Sequence, residues 1–354
     1  MKNEIYGQRI THPAAWTAKE IGGKEGLTHR MGPEHVEAIW ELIEKSRHKA
    51  ADATTREDWD HPALNALMLA AKDELMNGHG AIVLSGLDIG QMSLEDFGRI
   101  YWGMGTHLGN GVAQSYRGDK IGYVQKEEHN PTGRGYLMDV ELRSHTDFHE
   151  ILSLTTFRKA YEGGLSGMVS SLAMHNVLLE ESPHHLKALY EGYYLAQPGG
   201  DELFGEKVPI YCNIDGTVSC FNQGLFMRFA AQKRGEEIPA DLTEALKAQA
   251  AAAARPDLRA DFMLERGEML FFHNFTVMHS RTGFKNQGEQ KRLLLRLWLN
   301  VPNGRAMHPG FTEMGRRMDA LHAKGEAGLI YPMFATNAAG APAAPVTEKA
   351  IAAQ

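Results

Sequence analysis

From Ile121 to Val301 the chain is a succession of short β-prone runs, and this feature limits its fold more than any other. The runs are Ile121–Val124, His145–Thr156, Met168–Leu172, Pro209–Ile214, Val218–Phe221, Met269–Phe272 and Leu293–Val301, each set off by Gly, Pro or Asn. A doubly wound parallel sheet needs a helix after each strand, whereas many short strands with turn signals between them predict a sandwich or barrel. Ahead of this region the periodicity is helical. Val36, Ile39, Trp40 and Ile43 recur at i, i+3, i+4, i+7 after Pro33, and Leu64, Leu67, Met68, Ala71 and Leu75 do so after Pro62. Gly78-His79-Gly80 stops the second helix, and Ala81–Leu84 reads as a short buried strand. Ser93 with Asp96 three residues on resembles a capping box for a third helix, expected to run to about Trp102 and close in the glycines at 103, 105, 109 and 111.

Those glycines do not follow the GxGxxG spacing and no Lys-Ser/Thr follows them, so they offer no phosphate loop. Between Phe221 and Met269 the texture is helical again, with Asp241–Ala254 rich in Ala and Leu. The expected architecture is a single domain over 1–334, mainly β with flanking helices (α+β). It has a helical part over about 1–78 and a β core over about 79–302, interrupted by a helical insertion over about 222–262. Residues 335–354, with Ala341-Pro342-Ala343-Ala344-Pro345, have few large apolar side chains and are expected to form a flexible tail.

Charge narrows the partners. The sum of 37 basic and 44 acidic residues is −7, which leaves no basic field for a nucleic acid. Apolar runs such as Met269–Phe272 fall far short of the ~20 residues that span a bilayer, and Met1-Lys2-Asn3-Glu4 opens on polar sequence. The expectation is a cytoplasmic protein with a small-molecule partner, no nucleic acid and no membrane. Cys212 and Cys220 flank Asp215-Gly216, a hairpin-turn dipeptide. If Ile214 faces Thr217, Cys212 faces Ser219 and Cys220 faces Tyr211, which predicts idle thiols and no disulfide.

Chemistry enters at Arg143-Ser144-His145-Thr146-Asp147-Phe148-His149. On a strand, residues two apart share a face, so His145 and Asp147 can converge on one ion. Alone, His-x-Asp says little. Downstream, Met269–His273 reads as a buried strand, followed by Met278-His279-Ser280-Arg281-Thr282-Gly283-Phe284. The run Lys291–Leu299 then alternates, with Arg292 and Arg296 on one face; if buried, they need an anionic partner. Together His145, Asp147 and His279 make a two-histidine, one-carboxylate set of the kind that holds Fe(II) with positions left open. An arginine on the last core strand suits the far carboxylate of a dicarboxylate co-substrate. His273 is the rival for the distal ligand. His149 is expected to line the pocket or pack behind it, and His175, His184 and His185 to be ordinary residues of a helical stretch. Asn274-Phe275-Thr276 is a glycosylation sequon by pattern only.

His-x-Asp, the Gly-Gly-Leu-Ser turn at Gly163–Ser166, His279 in His-Ser-Arg-Thr-Gly-Phe, and Arg292-Leu-Leu-Leu-Arg296 closely resemble the TauD/TfdA family of Fe(II)- and 2-oxoglutarate-dependent dioxygenases, clavaminate-synthase-like in the broad sense. The resemblance covers roughly Gly78 to Val301. It implies a double-stranded β-helix, or jelly roll, with iron at its open mouth, held by His145, Asp147 and His279. It implies that Arg292 pairs with the distal carboxylate of 2-oxoglutarate, that Ser166 hydrogen-bonds the same group, and that Arg296 contacts an anionic substrate group. The reaction implied consumes O2 and 2-oxoglutarate, releases succinate and CO2, and oxidises a substrate C–H bond. With the Asp147 carboxylate present halogenation is disfavoured, and hydroxylation, desaturation or cyclisation remain. Two readings compete: a zinc-type hydrolase, which has no use for Arg292, and a non-catalytic binder of small anions or 2-oxoglutarate, which does not need three preorganised ligands. The polar segment Lys126–Asp139, with Pro131, Gly133 and Gly135, is expected to be a mobile lid over the mouth.

Overall fold

Alternation along Leu293–Asn300 organises the interior: Leu295, Leu297 and Leu299 enter one apolar cluster, Leu294 and Trp298 another. The structure is a computed structural model that describes residues 3–197 and 203–326, so the expected tail at 335–354 lies outside the described residues. Leu293–Asn300 belongs to a seven-stranded sheet in the order Thr28–Arg30, Ala81–Ser85, Met269–His273, Ile151–Arg158, Leu293–Asn300, with Asn110–Gly111 and Gly122–Val124 both on the outer edge of the last strand. Only the first pair is parallel. A four-stranded antiparallel sheet runs Arg259–Phe262, Ser166–Ser170, Val277–Arg281, Leu142–His145. Its Met168, Val169 and Val277 share a core with Leu152, Phe272 and Trp298 of the long sheet. The two sheets and their flanking helices form the mainly β, α+β jelly-roll architecture expected. No helix among the described residues is long and apolar enough to cross a membrane.

The helices Pro62–Met76 and Leu94–Thr106 cover the outer face of the long sheet, and Pro33–Ser46 packs against both of them. In Pro62–Met76 the buried residues are Leu64, Leu67, Met68, Ala71 and Leu75, the stripe predicted. In Pro33–Ser46 the stripe is rotated: Ile39, Leu42, Ile43 and Ser46 are buried, while Trp40 is 41% exposed. The helical amino-terminal part also supplies Thr28–Arg30 as the parallel edge strand, a pairing that three polar residues do not announce.

The third helix does not stop near Trp102 but continues to Thr106 through Gly103 and Gly105. These glycines serve close packing: a Cβ on Gly103 would lie 1.9 Å from Trp59 Cε2, and one on Gly105 2.7 Å from Leu297 Cδ1. Gly103→Ala is therefore expected to destabilise by about 1–3 kcal/mol, read as a lower melting temperature; an unchanged one would show that Trp59 can step aside.

Other boundaries shift for identifiable reasons. The expected run His145–Thr156 breaks over 146–150, because there the backbone bonds to side chains of other segments. The run from Met168 ends at Ser170, whose hydroxyl accepts the Ala173 N–H at 2.9 Å and caps the helix Ser171–Glu181. The insertion holds helices Gly224–Arg234 and Ala240–Ala253, but Arg259–Phe262 within its expected span is a core strand. Ala260 and Phe262 point inward, while Arg259 and Asp261 pair at 2.7 Å. The Cys212/Cys220 hairpin has the register expected, and both thiols are buried and free.

Candidate active site

His145 ends the strand Leu142–His145, and its Nδ1–H donates to Arg143 O at 2.7 Å, which turns Nε2 toward Asp147. His279 lies directly across the sheet from His145, with ring centroids 4.2 Å apart. Asp147 Oδ1 is 3.8 Å from His145 Nε2. One donor atom from each of the three lies within 4.8 Å of the others, and no other such trio of metal-ligating side chains occurs among the described residues. Asp147 does not reach this point by strand alternation. It sits beyond the strand end, in an irregular turn.

That turn is fixed from two sides. The Asn274 side chain accepts the Asp147 N–H at 2.8 Å and donates to Asp147 O at 2.9 Å. At the start of the insertion, the Asn222 N–H donates to Thr146 Oγ1 at 3.0 Å, and Gln223 Nε2 donates to Thr146 O at 2.6 Å. The Trp298 indole N–H donates to Asp147 Oδ2 at 2.9 Å, so the carboxylate is held by one oxygen and presents the other. Partners that orient a ligand in this way typically change metal affinity about 10–100-fold when lost. Asn274→Ala is expected to weaken Co(II) or Fe(II) binding by that factor, measured by titration; unaltered affinity would show the turn to be self-supporting. The sequence offered Asn274 only as a sequon.

The electrostatics suit a cation. Burial works against the charged form of Asp147, yet His279, His145, Arg296 and Arg134 outweigh it and hold the carboxyl at about 2. Burial, with His145 adding, pushes the His279 imidazole down to about 3, so it is a neutral donor at physiological pH. An ionised carboxylate and neutral imidazoles are the forms that ligate metal.

The trio faces a cavity of about 330 Å³ between the sheets. Its lining includes Arg134, Arg143, Arg228, Arg281, Arg292 and Arg296, with Asp147 the one carboxylate among the lining residues. Arg292 is 3% exposed and its Nη1 has no partner. Burial, with the Arg281 charge adding, pushes its guanidinium down to about 9. Ser166 lines the same cavity directly across the sheet from Arg281. The turn before it holds Gly163 and Gly164 at φ of 73° and 77°, and a Cβ on Gly164 would sit 3.1 Å from Arg292 Nε. Arg296 donates through Nε to Gln114 Oε1 at 3.0 Å and lies over the rings of Trp298 and Tyr136, at 4.0 and 4.5 Å from their centroids. All six residues singled out in the sequence therefore reach one cavity.

Two rivals do not. His273 points to Glu150, with Nε2 3.1 Å from Oε1, and His149 stacks on Trp298 with its Nε2 3.0 Å from Asp319 Oδ1. Of the segment expected to form a lid, Gly133 to Tyr136 line the cavity, and its ends are drawn together by Lys126 and Asp139 at 2.9 Å. Arg281 escaped the sequence reading, although its spacing from His279 on a strand places it on the same face.

The profile of a family described as taurine catabolism dioxygenase TauD, TfdA matches residues 43–298. FR-33289 synthase of Streptomyces rubellomurinus is 27% identical over 321 residues, covering 85% of this chain and 93% of that protein. The taurine hydroxylase-like protein SAT17 of Stachybotrys chartarum is 27% identical over 312 residues, covering 82% of this chain and 79% of the other. Among solved structures, an asparagine oxygenase in complex with Fe(II), 2S,3S-3-hydroxyasparagine and succinate superposes with a TM-score of 0.62 at 16% identity, over 80% of this chain and 98% of its own. The non-heme iron oxygenase OrfP with Fe and alpha-ketoglutaric acid superposes at 0.60 with 15% identity, over 86% and 100%. Both share this fold.

Proposed function

The chain belongs to the taurine catabolism dioxygenase TauD, TfdA family and is an Fe(II)- and 2-oxoglutarate-dependent oxygenase; from that premise we propose that His145, Asp147 and His279 hold its iron, that Arg292 and Ser166 receive the far carboxylate of 2-oxoglutarate, and that the substrate is a small anion. The observation that carries the reading is the conjunction of three convergent donors with an unpartnered buried guanidinium in one cavity. Iron, with 2-oxoglutarate and O2, would supply the oxidation of a C–H bond as the co-substrate becomes succinate and CO2.

The rest is done by side chains. His145, Asp147 and His279 would hold the metal from the wall of the cavity that receives the substrates. Trp298 and Asn274 keep the Asp147 carboxylate from swinging, so the same oxygen would always be presented to the metal. Arg292 offers a rigid fork that matches a carboxylate and fixes the length of keto acid accepted. Phe148, Leu152, Leu154 and Phe226 line the apolar side and exclude water from the reacting centre. Arg296, with Arg134 and Arg143 on the same cavity, supports an anionic substrate, since only Asp147 among the lining residues offsets their charge. Hydroxylation is the outcome proposed.

An anaerobic titration with Fe(II) and then 2-oxoglutarate tests this reading. A visible charge-transfer band at one iron per chain supports it. Iron bound without the band would turn the reading toward another metal centre.

A further inference from the structure

Four guanidinium nitrogens of the cavity lining lack partners, Nε and Nη1 of Arg281, Nη1 of Arg292 and Nη2 of Arg296, and the first three belong to two neighbouring side chains. Both side chains are buried, 6% and 3% exposed, and both lie over the Phe284 ring, 4.9 and 5.1 Å from its centroid. Two like charges sharing one ring repel, and neither makes an ion pair with a carboxylate among the described residues. Asp139, the carboxylate whose charge reaches Arg281, is engaged by Lys126. A buried donor left unpaired is destabilising, and an ionised carboxylate has about four lone-pair sites, enough to accept from both guanidiniums.

Arg281 has a second attachment. Its Nη2 donates to Met138 O at 2.8 Å and to Val140 O, where the 126–139 loop rejoins the core. Further along the same loop, the Tyr136 ring lies under Arg296. The guanidinium is planar and rigid, so a ligand that bonds Nε or Nη1 also fixes Nη2 and the two carbonyls on it.

We propose that Arg281 is a second guanidinium for the far carboxylate of 2-oxoglutarate, and that through it the bound co-substrate orders the 126–139 loop. This rests on the co-substrate assignment made above for Arg292. Arg281 is thus a positioning residue: it links the filling of the co-substrate end to the wall against which the substrate must sit. Loop order then follows co-substrate binding, so the substrate meets a finished cavity only after the oxidation has its reductant in place.

Hydrogen exchange of the peptides spanning 126–139 in the Fe(II)-loaded protein, without oxygen, tests the link. Saturating 2-oxoglutarate is expected to slow exchange there, whereas 2-oxopentanoate, which chelates alike but lacks the far carboxylate, leaves it fast. Arg281→Lys keeps the charge but cannot bond the ligand and both carbonyls from one rigid plane; its 2-oxoglutarate Kd is expected to rise about tenfold, and saturation should no longer slow the loop. Equal protection by 2-oxopentanoate would overturn the proposal, and so would full protection in Arg281→Lys. The comparison of keto acids uses the unaltered protein and stands even if the variant folds poorly. Absence of any charge-transfer band in the unaltered protein would instead remove the co-substrate assignment, and this inference with it.

Discussion

Asp147→Ala is expected to abolish both iron-dependent succinate formation and the visible band of chelated 2-oxoglutarate. The substitution removes one of three donors and leaves the Trp298 N–H without its acceptor. It also takes away the one carboxylate that faces six arginines, so the cavity becomes more hostile to a cation just as it loses a ligand. His145→Ala and His279→Ala should behave alike. His273→Ala should retain most of the activity, because its ring is committed to Glu150 outside the cavity. An Asp147→Ala protein that still bound one iron and gave the band would overturn the ligand set.

Arg292→Ala is expected to raise the 2-oxoglutarate requirement by about two to three and a half orders of magnitude, while turnover at saturation falls far less. Removing one partner of a buried charge pair costs about 3–5 kcal/mol, and each ~1.4 kcal/mol is tenfold in affinity. The effect should be large here because Arg292 is 3% exposed, so water cannot take its place. Arg292→Lys should recover part of the loss, as the charge returns without the fork. A requirement unchanged in Arg292→Ala, measured as the KM for 2-oxoglutarate, would pass the role to Arg296 or Arg281.

The parts of this molecule that could be read from sequence are those in which a local period and a tertiary need coincide. Alternation along Lys291–Leu299 placed Arg292 and Arg296 on one face, and the structure puts both in the cavity. The stripe of Pro62–Met76 was legible for the same reason. Where the cause lay in a distant segment, the sequence was silent. Nothing local says that Thr146 and Asp147 will be held by Asn222, Gln223 and Asn274, so the strand was drawn straight through them. Trp40 and Leu42 flank the Ile39–Ile43 stripe on opposite sides, and the helices packed against it decide which of them is covered. Gly103 and Gly105 look like a helix stop until Trp59 and Leu297 are seen against them. Arg281 was legible in principle, two residues beyond His279 on a strand, but its task depends on the Met138 and Val140 carbonyls.

The insertion after Phe221 joins two demands that differ in how freely they can drift. Its first residues, Asn222 and Gln223, grip the turn that carries Asp147, so change there would propagate to the metal. Its body supplies Phe226, Arg228, Leu246 and Ala250 to the cavity wall, yet none of the three donors. The root of this segment is therefore tied to the oxidising chemistry that every descendant must keep, while its helices can be exchanged, lengthened or recharged as a lineage moves from one substrate to the next.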